Sequence, residues 1–290
     1  MGLWFVMPWI VGFLLWYAIP MVASLWFSFT DFNLVSSEPT EFIGLDNWQK
    51  LFVDPEVRNS ALVTLRFGAL ALPVAIFFPM ALAYLLVSKN LRRRETFRAL
   101  FFMPSIIPFV AGVLIFSGIL NGRIGWVNRI LGVFGIQGPN WLLDQTWVYP
   151  ALVFIGLWGL GNAMLIFIAS MNAVSSSLYD AARIDGASEW KMFRHITLPV
   201  ISPIIFYNLV IALIALFNYF LVPFVLNNGD GSPGGATNFY ALNFFRVGFQ
   251  FFDMGYAATL AWALFLAALA ITGFLFWSAK YWVYYEYSGG

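Results

Sequence analysis

"YDAARIDGASEWKMFRHITLP", residues 179–199, carries six charged side chains within positions 180–194 of a chain that is 61% hydrophobic. A charged, helix-patterned run between two apolar segments has a purpose only if it touches something outside the lipid. Its reading therefore depends on where the lipid lies. Ser177 followed three residues on by Asp180 reads as a variant capping box, which predicts a short helix starting there. Ala181 and Ala182 keep that helix thin. Gly186 suits the position just past a helix end, where positive φ is needed, and Ser188 is placed to cap a second helix. The second helix would carry Trp190, Phe193 and Ile196 at helical spacing, with Glu189, Lys191 and Arg194 elsewhere on its circumference, and Pro199 would end it. The expectation is a helix-turn-helix along a membrane surface. It either floats among headgroups or, given the small apolar area of the first helix, plugs a groove in another protein.

The flanking sequence defines the membrane. Among 290 residues only 10% are charged and 20% are aromatic, far from the quarter or so charged in soluble domains. A bilayer core about 30 Å thick needs about 20 mainly apolar residues per helix. Six stretches qualify, approximately 3–29, 61–87, 99–120, 147–171, 200–226 and 256–280. The chain thus reads as all-α, one polytopic membrane domain over residues 1–290, without internal repeats or a long linker. The first apolar run lacks a basic leader region and a cleavage site, so it is expected to be a retained span. Prolines recur in or beside the spans (Pro8, Pro20, Pro73, Pro79, Pro104, Pro108, Pro203 and Pro223), as kinks or as hinges.

Lys and Arg divide nine against six between the two sides, the nine being Lys89, Arg92, Arg93, Arg94, Arg98, Arg183, Lys191, Arg194 and Lys280. Acidic residues divide five against nine the opposite way. The basic side is cytoplasmic, which places both termini and residues 179–199 there. A net charge of +1, spread over short loops, gives no surface for nucleic acid. Zero cysteines exclude disulfides and thiolate chemistry.

With the loop placed, a resemblance becomes specific. Asp180, Ala181 and Ala182, then Gly186, then Ile196, Leu198 and Pro199 match E-A-A, three residues, G, nine residues, I-x-L-P, the cytoplasmic signature of binding-protein-dependent ABC importer permeases. Aspartate for glutamate is the one departure. "FIGLDNWQKLFVDPEV" (42–57), "FRALFFMPSIIP" (97–108), "GWVNRILG" (125–132) and "NNGDGSPGGATNFY" (227–240) are similar to the maltose-type sugar-permease branch, in its first-permease or F-type member and its compact six-helix form. The resemblance implies a type I ABC importer permease fold in a prokaryotic plasma membrane, with a cytoplasmic coupling helix pair at about 178–197. It implies a second homologous permease, two cytoplasmic ATPase subunits and an extracytoplasmic solute-binding protein as partners. The coupling contact would be carried by Tyr179, Asp180, Ala181, Ala182, Arg183, Ile184, Asp185, Gly186, Ala187, Phe193, Leu198 and Pro199. The sequence holds no G-x-x-x-x-G-K-[ST] phosphate cradle. No cofactor is expected on this chain; ATP and Mg would sit on the ATPase subunits, and the chain itself would not be an enzyme.

Solute sites in transporters lie near mid-membrane, lined by the few polar groups of the spans. Asn208, Ala212, Ala215, Leu216 and Tyr219 share one helical stripe on the fifth span. Trp158, Gly159 and Asn162 share a face on the fourth. Aromatic and neutral hydrogen-bonding groups suit a carbohydrate, a di- or oligosaccharide, and the scarcity of charge at mid-depth favours a neutral solute. Glycerol-3-phosphate or a polyol is the alternative, and interhelical packing is the competing explanation of each residue. His195, the one histidine, has no partners for a metal or nucleophile site and reads as structural. Arg92, Arg93 and Arg94 enforce topology or meet anionic lipid. Gly118 and Gly122 form a weak G-x-x-x-G packing signal. Residues 227–238 are either a plain connector or a binding-protein contact. The spans lack the paired carboxylates, histidine cluster or Ser/Lys arrangement that an intramembrane enzyme needs, and a passive channel has no use for the charged helix-turn-helix.

Overall fold

A computed structural model describes residues 2–88 and 91–284; Lys89, and Glu286 of the acidic count, lie outside them. Among the described residues the regular elements are helices, joined by turns and loops, with two isolated bridges, Thr30 with Phe42 and Asn33 with Asp253. The first span is α1 (Gly2–Phe13), a π turn (Leu14–Ala18) and α2 (Ile19–Phe27). Pro20 cannot donate to the carbonyl four residues earlier, and the wider turn ahead of it accommodates the loss without breaking the helix. A surface helix, α3 (Asp46–Val53), precedes α4 (Pro55–Val87). Pro55 stands in the first turn of α4, where its missing N–H costs nothing, and the Asp54 carboxylate accepts the Glu56 N–H at 2.8 Å. At 33 residues α4 is about 50 Å long, so it overshoots the hydrocarbon core.

The third and fourth expected spans are not continuous. Residues 99–120 divide into α5 (Arg94–Phe102), a 3₁₀ turn (Met103–Ile106) and α6 (Phe109–Ile119), with a 101° bend. Pro104 and Pro108 flank that bend and withhold the N–H groups a straight helix would use. A short helix, α7 (Trp126–Val133), follows. Residues 147–171 divide into α8 (Val148–Leu157) and α9 (Gly161–Ala173), bent by 57° across three non-helical residues. Among the described residues four helices are long and apolar enough to cross a membrane alone, and up to six segments do so when each bent pair counts as one span.

Beyond α9 come α10 (Ser176–Ile184) and α11 (Glu189–Met192), which runs through a second π turn (Phe193–Thr197) into α12 (Leu198–Val200). Pro199 therefore does not end the helix. The chain stays helical to Val200, with the π turn two residues ahead of the proline as in the first span. The fifth span is α13 (Ser202–Phe217) with α14 (Leu221–Asn227). After it, α15 (Tyr240–Phe249) leads to the sixth span, α16 (Met254–Trp282).

Two large apolar clusters and two smaller ones hold the bundle. Val63, Phe67, Phe116, Leu152, Ile155 and Leu216 belong to one large cluster; Ile76, Met80, Ala83, Met164, Phe167 and Ile201 belong to the other, nearer α10. Along α4, the broken fourth span and α13, the boundary between the two large clusters falls at mid-span. A cavity occupies that boundary.

Candidate functional site

The α10 helix starts two residues earlier than the capping-box reading predicts. Ser175 is the N-cap without a side-chain bond to the helix, and its hydroxyl pairs with that of Ser177 at 2.8 Å. Ser177 lies inside the helix, and the Asp180 carboxylate accepts from Arg183 Nη1 at 3.0 Å rather than capping. This i,i+3 pair is exposed and contributes little to stability. The end of α10 agrees with expectation. Gly186 has φ +73°, its N–H donates to Arg183 O at 3.0 Å, and Ala187 N–H donates to Ala182 O at 2.9 Å. Those two bonds are the paired closure of a Schellman motif. Ser188 Oγ then accepts from Lys191 N at 3.4 Å to open α11.

The expected contact residues divide between two faces. Asp180, Ala181, Arg183, Ile184, Asp185, Gly186 and Pro199 are exposed. Ile184, 87% exposed, is the apolar point of the projection. Tyr179, Ala182, Ala187, Phe193 and Leu198 are half-buried. Phe193 meets the Tyr84 ring of α4 edge-on at 4.7 Å and stacks on Trp190 at 5.7 Å, so it seats the projection on the bundle. The Tyr179 hydroxyl pairs with Thr197 Oγ1 at 2.7 Å, tying α10 to the π turn. His195 Nδ1 lies 3.0 Å from Lys191 O, a bond within its own helix that fits a structural residue.

The mid-span cavity has a volume of about 470 Å³. Seven of the eight residues singled out on the fourth and fifth spans line it: Gly159, Asn162, Asn208, Ala212, Ala215, Leu216 and Tyr219. Trp158 faces a smaller adjoining cavity of about 200 Å³, which shares Gly159 and Asn162 with the first. The three residues of the fourth span thus share the smaller cavity, and the 57° bend at Trp158 keeps its ring out of the larger one. Gly161 is required at that break, since a Cβ there would stand 2.9 Å from Phe101 O and from Phe102 Cα of α5. Asn208 Nδ2 donates to Ile204 O at 2.9 Å, which uses one of its two N–H groups within α13 and leaves its Oδ1 as an acceptor. The Asn162 amide is exposed and bonds to no described residue. Tyr219 packs with Phe67 at 4.7 Å and Phe239 at 4.8 Å, closing the cavity at one end with aromatic rings.

Phe67, Ala71, Gly156 and Tyr207 also line the cavity and were not anticipated. Tyr207 adjoins Asn208 in sequence, and Gly156, Gly159 and Gly161 crowd one turn, a signal for a broken helix. Gly118 and Gly122 do not form a packing motif, because α6 ends at Ile119 and nothing lies near Gly118. At the opposite end of the bundle from α10, residues 227–240 fold on themselves. Asp230 Oδ1 accepts Ser232 N–H at 2.7 Å, and Asn238 Nδ2 donates to Glu56 Oε2 of α4 at 2.9 Å. Among the described residues no cluster of His, Cys, Asp and Glu could hold a metal.

Residues 71–282 match the family described as Binding-protein-dependent transport system inner membrane component. The chain is similar to the probable ABC transporter permease protein YesP of Bacillus subtilis, at 36% identity over 98% of this chain and 92% of the relative. It is similar to the arabinooligosaccharides transport system permease protein AraP of Bacillus subtilis, at 30% over 92% and 85%. It also resembles the trehalose/maltose transport system permease protein MalF of Thermococcus litoralis, at 27% over 94% and 91%. A chain of the bacterial alginate ABC transporter, crystallised in complex with an alginate pentasaccharide-bound periplasmic protein, shares the fold with a TM-score of 0.82, at 22% identity over 95% of this chain and 92% of that one. The apolar spans, the seated two-helix projection and these likenesses together identify the chain as a member of the ABC transporter permeases, the inner-membrane components of binding-protein-dependent transport systems.

Proposed function

We propose that this permease takes up a carbohydrate, a di- or oligosaccharide, handed over by an extracytoplasmic solute-binding protein, and that the mid-span cavity is where it is held. The observation that carries this reading is the cavity at the break in the fourth span. It has small residues along one wall, aromatic rings at one end and neutral polar groups at Asn162, Asn208 and Tyr207. Discontinuous helices lining a midplane cavity are how transporters present polar groups to a solute, and the volume falls within the range of small-molecule sites. No charged side chain is among its lining residues, which favours a neutral sugar over glycerol-3-phosphate. Names of relatives that refer to arabinooligosaccharides and to trehalose and maltose support the same class.

In this reading the chain performs no chemistry. Two ATPase subunits bind ATP and Mg, and one of them receives the exposed tip around Ile184 and Gly186. A second permease completes the pathway, and both termini lie on the cytoplasmic side with α10. Closure of the ATPases moves the tip; Phe193 against Tyr84 and Tyr179 against Thr197 pass the motion to α4 and to the segment leading into α13. Both halves of the fourth span line the cavity, and α9 leads through two residues into this projection, so a moving tip reshapes the cavity walls.

The test is reconstitution with the permease, ATPase and binding protein encoded beside this chain, followed by uptake of labelled oligosaccharides into proteoliposomes. Asn162→Ala and Tyr207→Phe should lower uptake about 5- to 30-fold, the effect of losing one or two kcal/mol, and leave basal ATP hydrolysis unchanged. Unaltered uptake in the double variant would refute the cavity as the solute site.

A further inference from the structure

The loop after the third span carries an outward apolar face that no described residue covers. On α7, Trp126, Ile130 and Val133 recur at i, i+4 and i+7 and lie 71%, 58% and 82% exposed, and Phe134 continues the row. The inner side of the helix is fixed. Asn128 Nδ2 donates to Gly122 O at 2.8 Å and Pro139 O at 3.0 Å, while its Oδ1 accepts from Trp141 Nε1 at 2.7 Å. The exposed row is therefore presented on a held frame. Arg123 and Arg129 flank it, both exposed and neither in an ion pair with a described residue.

The height of this face follows from helix lengths. With its 11 residues α6 rises about 16 Å at most, little over half of a hydrocarbon core about 30 Å thick. Because α5 turns away at 101°, it adds little rise. The chain thus leaves α6 while still at the depth of the far leaflet, and α7 begins there. Phe109, Val110, Leu114 and Ile115 on α6 are exposed as well, so the span below α7 presents an apolar surface of its own.

We propose that α7 is an interfacial helix embedded in the leaflet opposite the coupling projection, with Arg123 and Arg129 reaching anionic phospholipid headgroups. Apolar side chains on one side, a tryptophan at the boundary and flanking arginines are what such a helix requires. Binding anionic lipid there would anchor the mouth of the third span, whose Phe116 meets Trp158 edge-on at 5.2 Å beside the smaller cavity.

The chain lacks cysteine, so single spin labels can be placed in the full-length protein in vesicles of phosphatidylcholine and phosphatidylglycerol. Ile130→Cys and Val133→Cys are the test sites, Leu114→Cys on α6 the lipid-facing control and Glu38→Cys the water-facing control. The ratio of collisions with oxygen to collisions with a nickel chelate at both test sites should match Leu114→Cys and exceed Glu38→Cys several-fold. Ratios equal to Glu38→Cys, or protection that appears only when the second permease or the binding protein is added, overturn the proposal. Arg123→Gln and Arg129→Gln should each reduce the preference for phosphatidylglycerol over phosphatidylcholine about fivefold. An unchanged preference in the double variant overturns the headgroup contact.

Discussion

Substituting Gly186 tests the coupling reading most directly, because the cost is conformational and can be graded. A Cβ at this position meets nothing within 4 Å, so no clash accompanies the change. The penalty of Gly186→Ala is that of holding an L-residue at φ +73°, about 1–2 kcal/mol, whereas asparagine adopts that region with less strain. Gly186→Pro cannot comply, since its ring fixes φ near −65° and removes the N–H that reaches Arg183 O at 3.0 Å. If one ATPase subunit grips this turn, uptake by the reconstituted transporter should fall in the order glycine, asparagine, alanine, proline. The alanine step should be about 5- to 30-fold at most, and the proline variant should retain only uncoupled ATP hydrolysis. Thermal unfolding of the bundle should shift by only a few degrees from the parent, because Gly186 is exposed and belongs to none of the apolar clusters. Equal uptake across the series, or full uptake with proline, would refute the role of this turn.

Tyr179→Phe and Thr197→Val should each reduce sugar moved per ATP hydrolysed, and the double variant should do no worse than either. A double-mutant cycle checks this, with about 1 kcal/mol of coupling expected for one hydrogen bond. Gly161→Val should lower stability by about 1–3 kcal/mol, since its added atoms collide with the α5 backbone; thermal denaturation in detergent reads that loss. Asn128→Ala should strand Trp141 Nε1 and loosen α7, costing about 1–3 kcal/mol. Hydrogen exchange should rise across residues 122–141 and stay unchanged in α4.

Much of this architecture was legible because lipid imposes a simple rule: apolar runs of sufficient length must close their own hydrogen bonds. The Gly186 turn was legible because few residues other than glycine fit that backbone. The bends in the third and fourth spans were not, because prolines and glycines permit a break without specifying its angle, and Pro73 and Pro79 pass through α4 without one. The fifth-span stripe survived because α13 is straight over Asn208, Ala212, Ala215 and Leu216. On the fourth span Trp158, Gly159 and Asn162 still line the smaller cavity together, but the break keeps Trp158 out of the larger one. Phe67 and Tyr207 were missed because nothing in their own segments marks them; only the meeting of α4 with α13 puts them on one wall.

The π turn at Phe193–Thr197 holds one residue more than an ordinary helical turn would. A position deleted from an ordinary turn between Gly186 and Ile196 would swivel everything ahead of it by about 100° around the axis, whereas the π turn takes up its extra residue within a single turn. Ile184 would then point toward a different neighbour although no side chain at the tip had changed. The interval of nine residues between Gly186 and Ile196 is thus a setting of direction as much as of length, and among related chains it should tolerate exchanges of residue far more readily than changes in number.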